Sequence, residues 1–231
     1  MKILAIIPAY NEEESLPGVI SDLRGHFPAA DVLVVNDGSK DGTSSIARGM
    51  GVKVLNLPFN LGIGGAVQAG YLYAAKHEYD VAIQFDGDGQ HCATEIKKLL
   101  QPLIDGKADL VIGSRFLQPG NYQAPFMRRV GISIFSFVLS RILDGPVTDT
   151  TSGFRAANKQ VAGYFARYYP DDYPEVETLV LVHRHGLRIA EVPVTMRERT
   201  GGRTSITAFQ SAYYMVKVLL AVFIDLLKKA R

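Results

Sequence analysis

One cysteine, Cys92, and no tryptophan occur among the 231 residues. A lone thiol excludes an internal disulfide and a cysteine-built zinc site, which favours a reducing compartment. No low-complexity tract and no internal repeat is found. A secretory leader is not apparent either, because the apolar run of MKILAIIPAYNEE is very short and meets acids directly at Glu12 and Glu13. Nor is there the uninterrupted apolar stretch of about 20 residues that a membrane-spanning helix needs. The nearest candidate, AYYMVKVLLAVFIDLL, is short and broken by Lys217 and Asp225. The expectation is a cytoplasmic protein.

What is there suits one sizeable core, or one domain with a small appendage. Hydrophobic residues make up 47% and charged residues 21%, ordinary for a folded soluble chain. Net charge is only +2, but Arg184–Arg231 holds nine Lys/Arg against three Asp/Glu. That basic quarter can face anionic lipid, a phosphate ligand or nucleic acid, or simply water.

The first half alternates β-branched runs with helical patterns, the mark of parallel β/α construction. Strands are expected at Lys2–Ile7, Val32–Val35, Val52–Leu55, Val81–Phe85 and Leu110–Ile112. Helices are expected at Glu13–His26, Thr43–Met50, Gly65–His77 and Thr94–Asp105. Strands this apolar predict burial on both faces. Beyond Arg115 come a Pro/Gly loop over Phe116–Phe126, an apolar helix over Arg128–Leu143 and a short segment, Asp149–Asn158. A helix near Glu175–His185, a strand at Leu187–Val192 and a mobile basic loop at Thr195–Thr207 follow. The last helix, Ala208–Lys229, ends in Lys228, Lys229 and Arg231 and suits an interfacial or a subunit-packing role.

Chemistry concentrates at strand ends, where ligands bind in open α/β sheets. Asp86-Gly87-Asp88 follows the fourth strand, and crowded carboxylates invite a hard cation such as Mg²⁺ or Mn²⁺. Gln90 can add a neutral oxygen. An acidic turn is the plainer reading of D-x-D alone. Asp37, after the second strand, can accept hydrogen bonds from a base or ribose, whereas Asp41-Gly42-Thr43 reads as turn and cap. The first strand ends in Pro8-Ala9-Tyr10-Asn11-Glu12. Glycines 62 and 65, after Asn60, can approach a diphosphate at a helix N-terminus. A dinucleotide fingerprint fails, since its third glycine falls on Val67.

PAYNE, VNDGSKDGT, NLGIGGA, QFDGDGQH, GSRF and TSGFRA, in this order and spacing, resemble the family 2 glycosyltransferases of GT-A fold. Within that family the chain is similar to the dolichyl- and undecaprenyl-phosphate sugar synthases, from Ile3 to about Ser205. The resemblance implies an α/β fold with a mostly parallel central sheet flanked by helices, and a C-terminal amphipathic helix. It divides the chain into a catalytic domain, 1–206, and a membrane-surface or oligomerisation helix, 207–231. It implies a nucleotide-sugar donor held by Pro8, Tyr10, Asn11, Glu12, Asp37, Asn60, Gly62, Gly65, Asp86 and Gly87. Arg199 and Arg203, in the late loop, are candidates for the diphosphate. Metal ligands would be Asp86, Asp88 and Gln90. The acceptor phosphate would meet Arg115, Arg129 and Ser133, the last two sharing one helix face at i, i+4. Asp149, Glu175 and Glu177 are further carboxylates on the acceptor side, each a base or a helix cap.

The implied reaction is a single in-line displacement that inverts the anomeric centre. A phosphate acceptor is already mostly anionic, so no strong base is required. UDP-glucose or UDP-N-acetylglucosamine is the expected donor, with GDP-mannose the competitor. Attachment is expected to be peripheral, on the inner face of the cell membrane, as a homo-oligomer or with a small membrane protein, and without nucleic acid. A saccharide-hydroxyl acceptor is the alternative. The missing tryptophan counts against the processive polysaccharide synthases, which carry Q-x-x-R-W. A non-catalytic nucleotide-sugar-binding protein is a further alternative, opposed by the complete acidic set.

Overall fold

The computed structural model describes residues 1–118, 126–143, 145–171 and 174–197, together with Lys217 and Leu220; over 126–132 it describes the backbone. Seven strands form one sheet in the order β3-β2-β1-β4-β6-β5-β7. They are β1 (Ile3–Ala9), β2 (Ala30–Asn36), β3 (Lys53–Asn56), β4 (Val81–Gln84), β5 (Leu110–Ser114), β6 (Arg155–Asn158) and β7 (Ile189–Pro193). The helices are α1 (Leu16–His26), α2 (Thr43–Gly49), α3 (Gly62–Lys76), α4 (Ile96–Ile104), α5 (Phe126–Ile142), α6 (Lys159–Phe165) and α7 (Pro174–Arg184).

Strand alternation sorts the core. On β1, Ile3, Ala5 and Ile7 pack with Leu16 and Ile20 of α1 and Leu99 of α4. Leu4 and Ile6 point the other way, to Val67 and Tyr71 of α3 and Phe165 of α6. Each fully buried aliphatic side chain contributes about 1.5–3 kcal/mol by leaving water. All seven residues of β1 are buried, so the middle of the sheet is covered on both faces.

All five strands expected in the first half are present, and most run one or two residues further. In the second half the expected helices and last strand appear as α5, α7 and β7, but one further strand and one further helix were not expected. Residues 155–158 form β6, which lies antiparallel between β4 and β5, in register Gln84↔Arg155 and Ile112↔Arg155. Its sequence, Arg-Ala-Ala-Asn, has no β-branched residue and no alternation, so nothing local announces a strand. Two flanking ladders create it. A short helix, α6, follows without having been expected; the Asn158 side chain caps it by accepting from Val161 N at 2.9 Å.

The third helix starts at Gly62, not Gly65. Its N-cap residue, Leu61, offers no side-chain cap. The cap comes instead from Asp37 at the end of β2, whose carboxylate accepts from Leu61 N at 2.7 Å and Gly62 N at 2.9 Å. A cap supplied from 25 residues away is invisible to a local reading. The late basic loop begins anchored: Met196 bridges to His91, and Arg197 N donates to Gln90 O at 2.8 Å. Its continuation from residue 198, with the expected domain boundary at 206, lies outside the described residues. So does the C-terminal helix, except for Lys217 and Leu220, both helical. Among the described residues no helix is long and apolar enough to cross a membrane.

Candidate active site

The carboxyl ends of β1, β2 and β4, with the start of α3, enclose a cleft of about 310 Å³. Of the expected donor residues, Pro8, Tyr10, Glu12, Asp37, Asn60 and Gly62 line it, joined by Asp86, Gly87 and Asp88. Two others do not. Asn11 adopts the left-handed conformation, and its side chain accepts from Lys40 N at 2.9 Å, which makes it a turn residue. Gly65 packs on Leu61, where a Cβ would lie 2.6 Å from the Leu61 Cβ.

Asp37 lies at the floor of the cleft that it helps to line. It is 3% exposed, with both oxygens engaged by the α3 backbone. Gly38 beside it has φ +72°, and a Cβ there would stand 2.8 Å from Asn60 N. Together they press the 59–62 turn into place. Asp41 behaves as its sequence suggests, accepting from Thr43 N at 3.0 Å and the Thr43 hydroxyl at 2.5 Å.

Asp86 and Asp88 face the cleft from a tight turn after β4. Asp88 Oδ1 accepts from Gln90 N at 3.0 Å, closing that turn. His91, named in the motif but given no role from sequence, is packed beneath. Its ring stacks on Phe154 at 4.6 Å, and its Nδ1 accepts from Asp86 N at 3.0 Å. The opposite ring nitrogen stands 3.5 Å from Asp86 Oδ2. Burial drives the His91 pKa down to about 4, against a raising influence from Asp88, with Arg115 lowering it further. His91 is therefore neutral at pH 7, an acceptor at one nitrogen and a donor at the other.

Among the described residues no three His, Cys, Asp or Glu side chains converge as a closed metal cage. The two cleft-lining aspartates, oxygen donors only, fit a different design, while the expected third ligand, Gln90, is not among the residues lining the cleft. Mg²⁺ and Mn²⁺ accept one or two carboxylates and complete their shells with phosphate oxygens and water.

On the other side of the turn stands Arg115, 8% exposed. Its Nε and Nη2 reach Asp149 Oδ2 at 2.7 Å and Oδ1 at 2.8 Å, a forked pair, and Nη2 also donates to Thr151 Oγ1. Asp149 is fully buried, and its own N–H donates to Glu191. This corrects its expected role as a base: with both oxygens held by Arg115 and no exposure, it braces the arginine. Arg129 lies on the described backbone of α5, one turn before the exposed Ser133, so the i, i+4 spacing stands. Arg199 and Arg203 lie outside the described residues. Glu175 opens α7, where burial raises its carboxyl pKa and Arg155 opposes the rise. Sequence reasoning also passed over Gly153, where a Cβ would stand 2.8 Å from Asp86 Oδ2.

Residues 4–164 match Glycosyl transferase family 2. The chain belongs to that family. It is 37% identical over 216 residues to undecaprenyl-phosphate mannosyltransferase of Micrococcus luteus, covering 90% of this chain and 88% of that one. It is 32% identical to polyprenol monophosphomannose synthase of Mycolicibacterium smegmatis (94% and 85% covered). Identity is 30% with the UDP-N-acetylglucosamine–dolichyl-phosphate N-acetylglucosaminyltransferase of Methanococcus voltae (96% and 98%). Within family 2 the chain thus falls in the dolichyl/undecaprenyl-phosphate sugar synthase subgroup. The fold is shared with glucosyl-3-phosphoglycerate synthase from Mycobacterium tuberculosis, crystallised with Mn²⁺, UDP and glucosyl-3-phosphoglycerate. That match has a TM-score of 0.73 at 22% identity, over 96% of this chain and 79% of that one. The family 2 domain here is of GT-A type.

Proposed function

We propose that this family 2 enzyme transfers a sugar from a nucleoside diphosphate to a polyprenyl phosphate such as undecaprenyl phosphate, with inversion at the anomeric carbon. One observation carries the reading: a cleft lined by Asp86 and Asp88 stands close to a buried, braced Arg115, since Thr151 accepts from Arg115 while Gly153, two residues on, packs against the Asp86 carboxylate. Acid on one side suits a metal-bound diphosphate, and arginine on the other suits a second phosphate. The relatives named for polyprenyl and dolichyl phosphate support the acceptor class.

Pro8, Tyr10, Glu12 and Asn60 would cradle the nucleotide, and Asp37 keeps the α3 backbone in position to meet it. Mg²⁺ or Mn²⁺, held by Asp86, Asp88 and Gln90, would supply charge neutralisation for the departing diphosphate. Arg115, with Arg129 and Ser133 on α5, would orient the acceptor phosphate for attack. A phosphate monoester, with a second pKa of about 6, attacks as an anion, which agrees with a site that uses Asp149 to hold an arginine. Arg199 and Arg203 would close on the donor. Delivery to a lipid acceptor requires work at a membrane surface, and we place the enzyme on the cytoplasmic face, peripherally bound, as an oligomer or with a small membrane protein.

UDP-glucose and UDP-N-acetylglucosamine are the first donors to try, with GDP-mannose the competitor; mannose is the sugar in the names of two of the relatives. A saccharide-hydroxyl acceptor is the second reading, supported by Glu175, whose raised carboxyl pKa suits a general base. Radiolabelled UDP-glucose, UDP-N-acetylglucosamine and GDP-mannose, each offered with Mn²⁺ and undecaprenyl phosphate, separate the readings. Label passing into organic solvent is expected. Label found only on added soluble saccharides overturns the lipid assignment.

A further inference from the structure

Gln84 is the last residue of β4 and is 2% exposed. Strand alternation turns it to the face of Ala82, toward the aromatic cluster of α3 and α6. A buried amide there is costly unless both its ends find partners. Its Nε2 donates to Asp86 Oδ1 at 3.3 Å, and its Oε1 accepts from the Tyr169 hydroxyl at 3.4 Å. The orientation follows from chemistry, because an ionised carboxylate only accepts, so the NH₂ end must face Asp86. The carbonyl end then needs a donor. Tyr169 supplies it, burial holding its phenol well above the ordinary pKa and therefore protonated. Its ring is fixed against Tyr71 and Phe165, with centroids 5.6 and 5.2 Å away.

Gly153 shuts the remaining space: a Cβ would lie 2.8 Å from Asp86 Oδ2 and 3.0 Å from Gln84 Nε2. The segment bearing Tyr169 also touches the donor cleft's own helix, since a Cβ on Gly64 would stand 2.5 Å from Pro170 O. A hydrophobic side chain could fill the Gln84 position without any of this wiring.

We propose that Gln84 is a positioning residue: held by Tyr169, it fixes the Asp86 carboxylate and thereby raises the affinity of the site for a divalent cation. This rests on the metal reading given under Proposed function. Hydrogen-bonded neighbours of metal ligands commonly tune affinity by about 10–100-fold.

The test is direct Mn²⁺ titration of the full chain by electron paramagnetic resonance, in wild type, Gln84→Met and Tyr169→Phe. Sugar transfer and melting without metal are measured in parallel. Gln84→Met keeps the shape and removes the amide; about tenfold weaker Mn²⁺ binding is expected, with kcat falling more than the donor KM rises. Tyr169→Phe should weaken Mn²⁺ about threefold, the effect of losing one weak hydrogen bond. Wild-type Mn²⁺ affinity in a folded Gln84→Met overturns the proposal. Should that variant not fold, unchanged Mn²⁺ affinity in Tyr169→Phe overturns it instead. A wild type that binds no Mn²⁺ overturns the metal reading as well, which separates the two failures.

Discussion

The two halves of the sheet carry opposite charges and secure them by opposite means. On the β1–β2–β4 side the cleft-lining acids Glu12, Asp86 and Asp88 sit on turns, partly open to water. On the β5–β6 side the cations are inside the protein. Arg115 is forked onto a fully buried aspartate. Arg155, 1% exposed, gives its described hydrogen bonds to three neutral oxygens: Ser152 O, the Thr178 hydroxyl and Glu175 O. The difference teaches where rigidity is needed. On the proposed reading, acids that would take a metal can stay hydrated until it arrives, whereas an arginine that would meet a phosphate gains from having its geometry set in advance.

The largest effect should come from cutting the brace. Asp149→Ala removes the buried carboxylate forked onto Arg115 and is expected to cost about 3–5 kcal/mol, read as a melting temperature lowered by about 6–20 °C. A melt unchanged from wild type would mean that the cationic half is not held as described. Next, Asp88→Ala should reduce kcat/KM for transfer by about 10²–10³-fold while the melting temperature scarcely moves, since Asp88 lies on a partly exposed turn. If transfer persists, the acidic half is not the donor site.

Gly153→Ala sharpens the comparison, because Gly153 belongs to the second half yet touches the acid of the first. Its new methyl must displace the Asp86 carboxylate, and a loss of up to about 10²-fold in kcat is expected, as for a misplacement near 1 Å. Activity within twofold of wild type would show the carboxylate tolerates the shift. The smallest effect concerns acid. Arg188 hydrogen bonds hold the Asp109 carboxyl below its ordinary range, against burial, so the stability it contributes is present above about pH 4 and is lost as pH falls through the lowered value. Arg188 is 56% exposed, which screens the pair. Asp109→Asn should therefore trim the melting-temperature loss between pH 5 and pH 3 by only about 1–3 °C. An identical acid profile would remove Asp109 from the account.

Legibility in the sequence follows the same division. The first half is built from strands whose β-branched runs declare themselves and whose ends carry acids within a few residues, so Pro8, Glu12, Asp86 and Asp88 could be read directly. In the second half meaning depends on distant partners. Asp149 looks like any site carboxylate until Arg115, 34 residues away, is seen to occupy it. Gly153 carries no local signal, because it meets Asp86 from another element, and Gln84 is tied to a partner 85 residues away, Tyr169.

By itself, then, the chain's covalent order determined the class of chemistry. Apolar runs with acids at their ends oblige a buried parallel sheet with a polar edge, since both features arise from neighbours in sequence. Only the tertiary structure decided which of those polar groups are available. A buried hydrogen bond is a pairwise fact between remote residues, and it turned Asp37 into a helix cap, Asp149 into a brace and residues 155–158 into a strand.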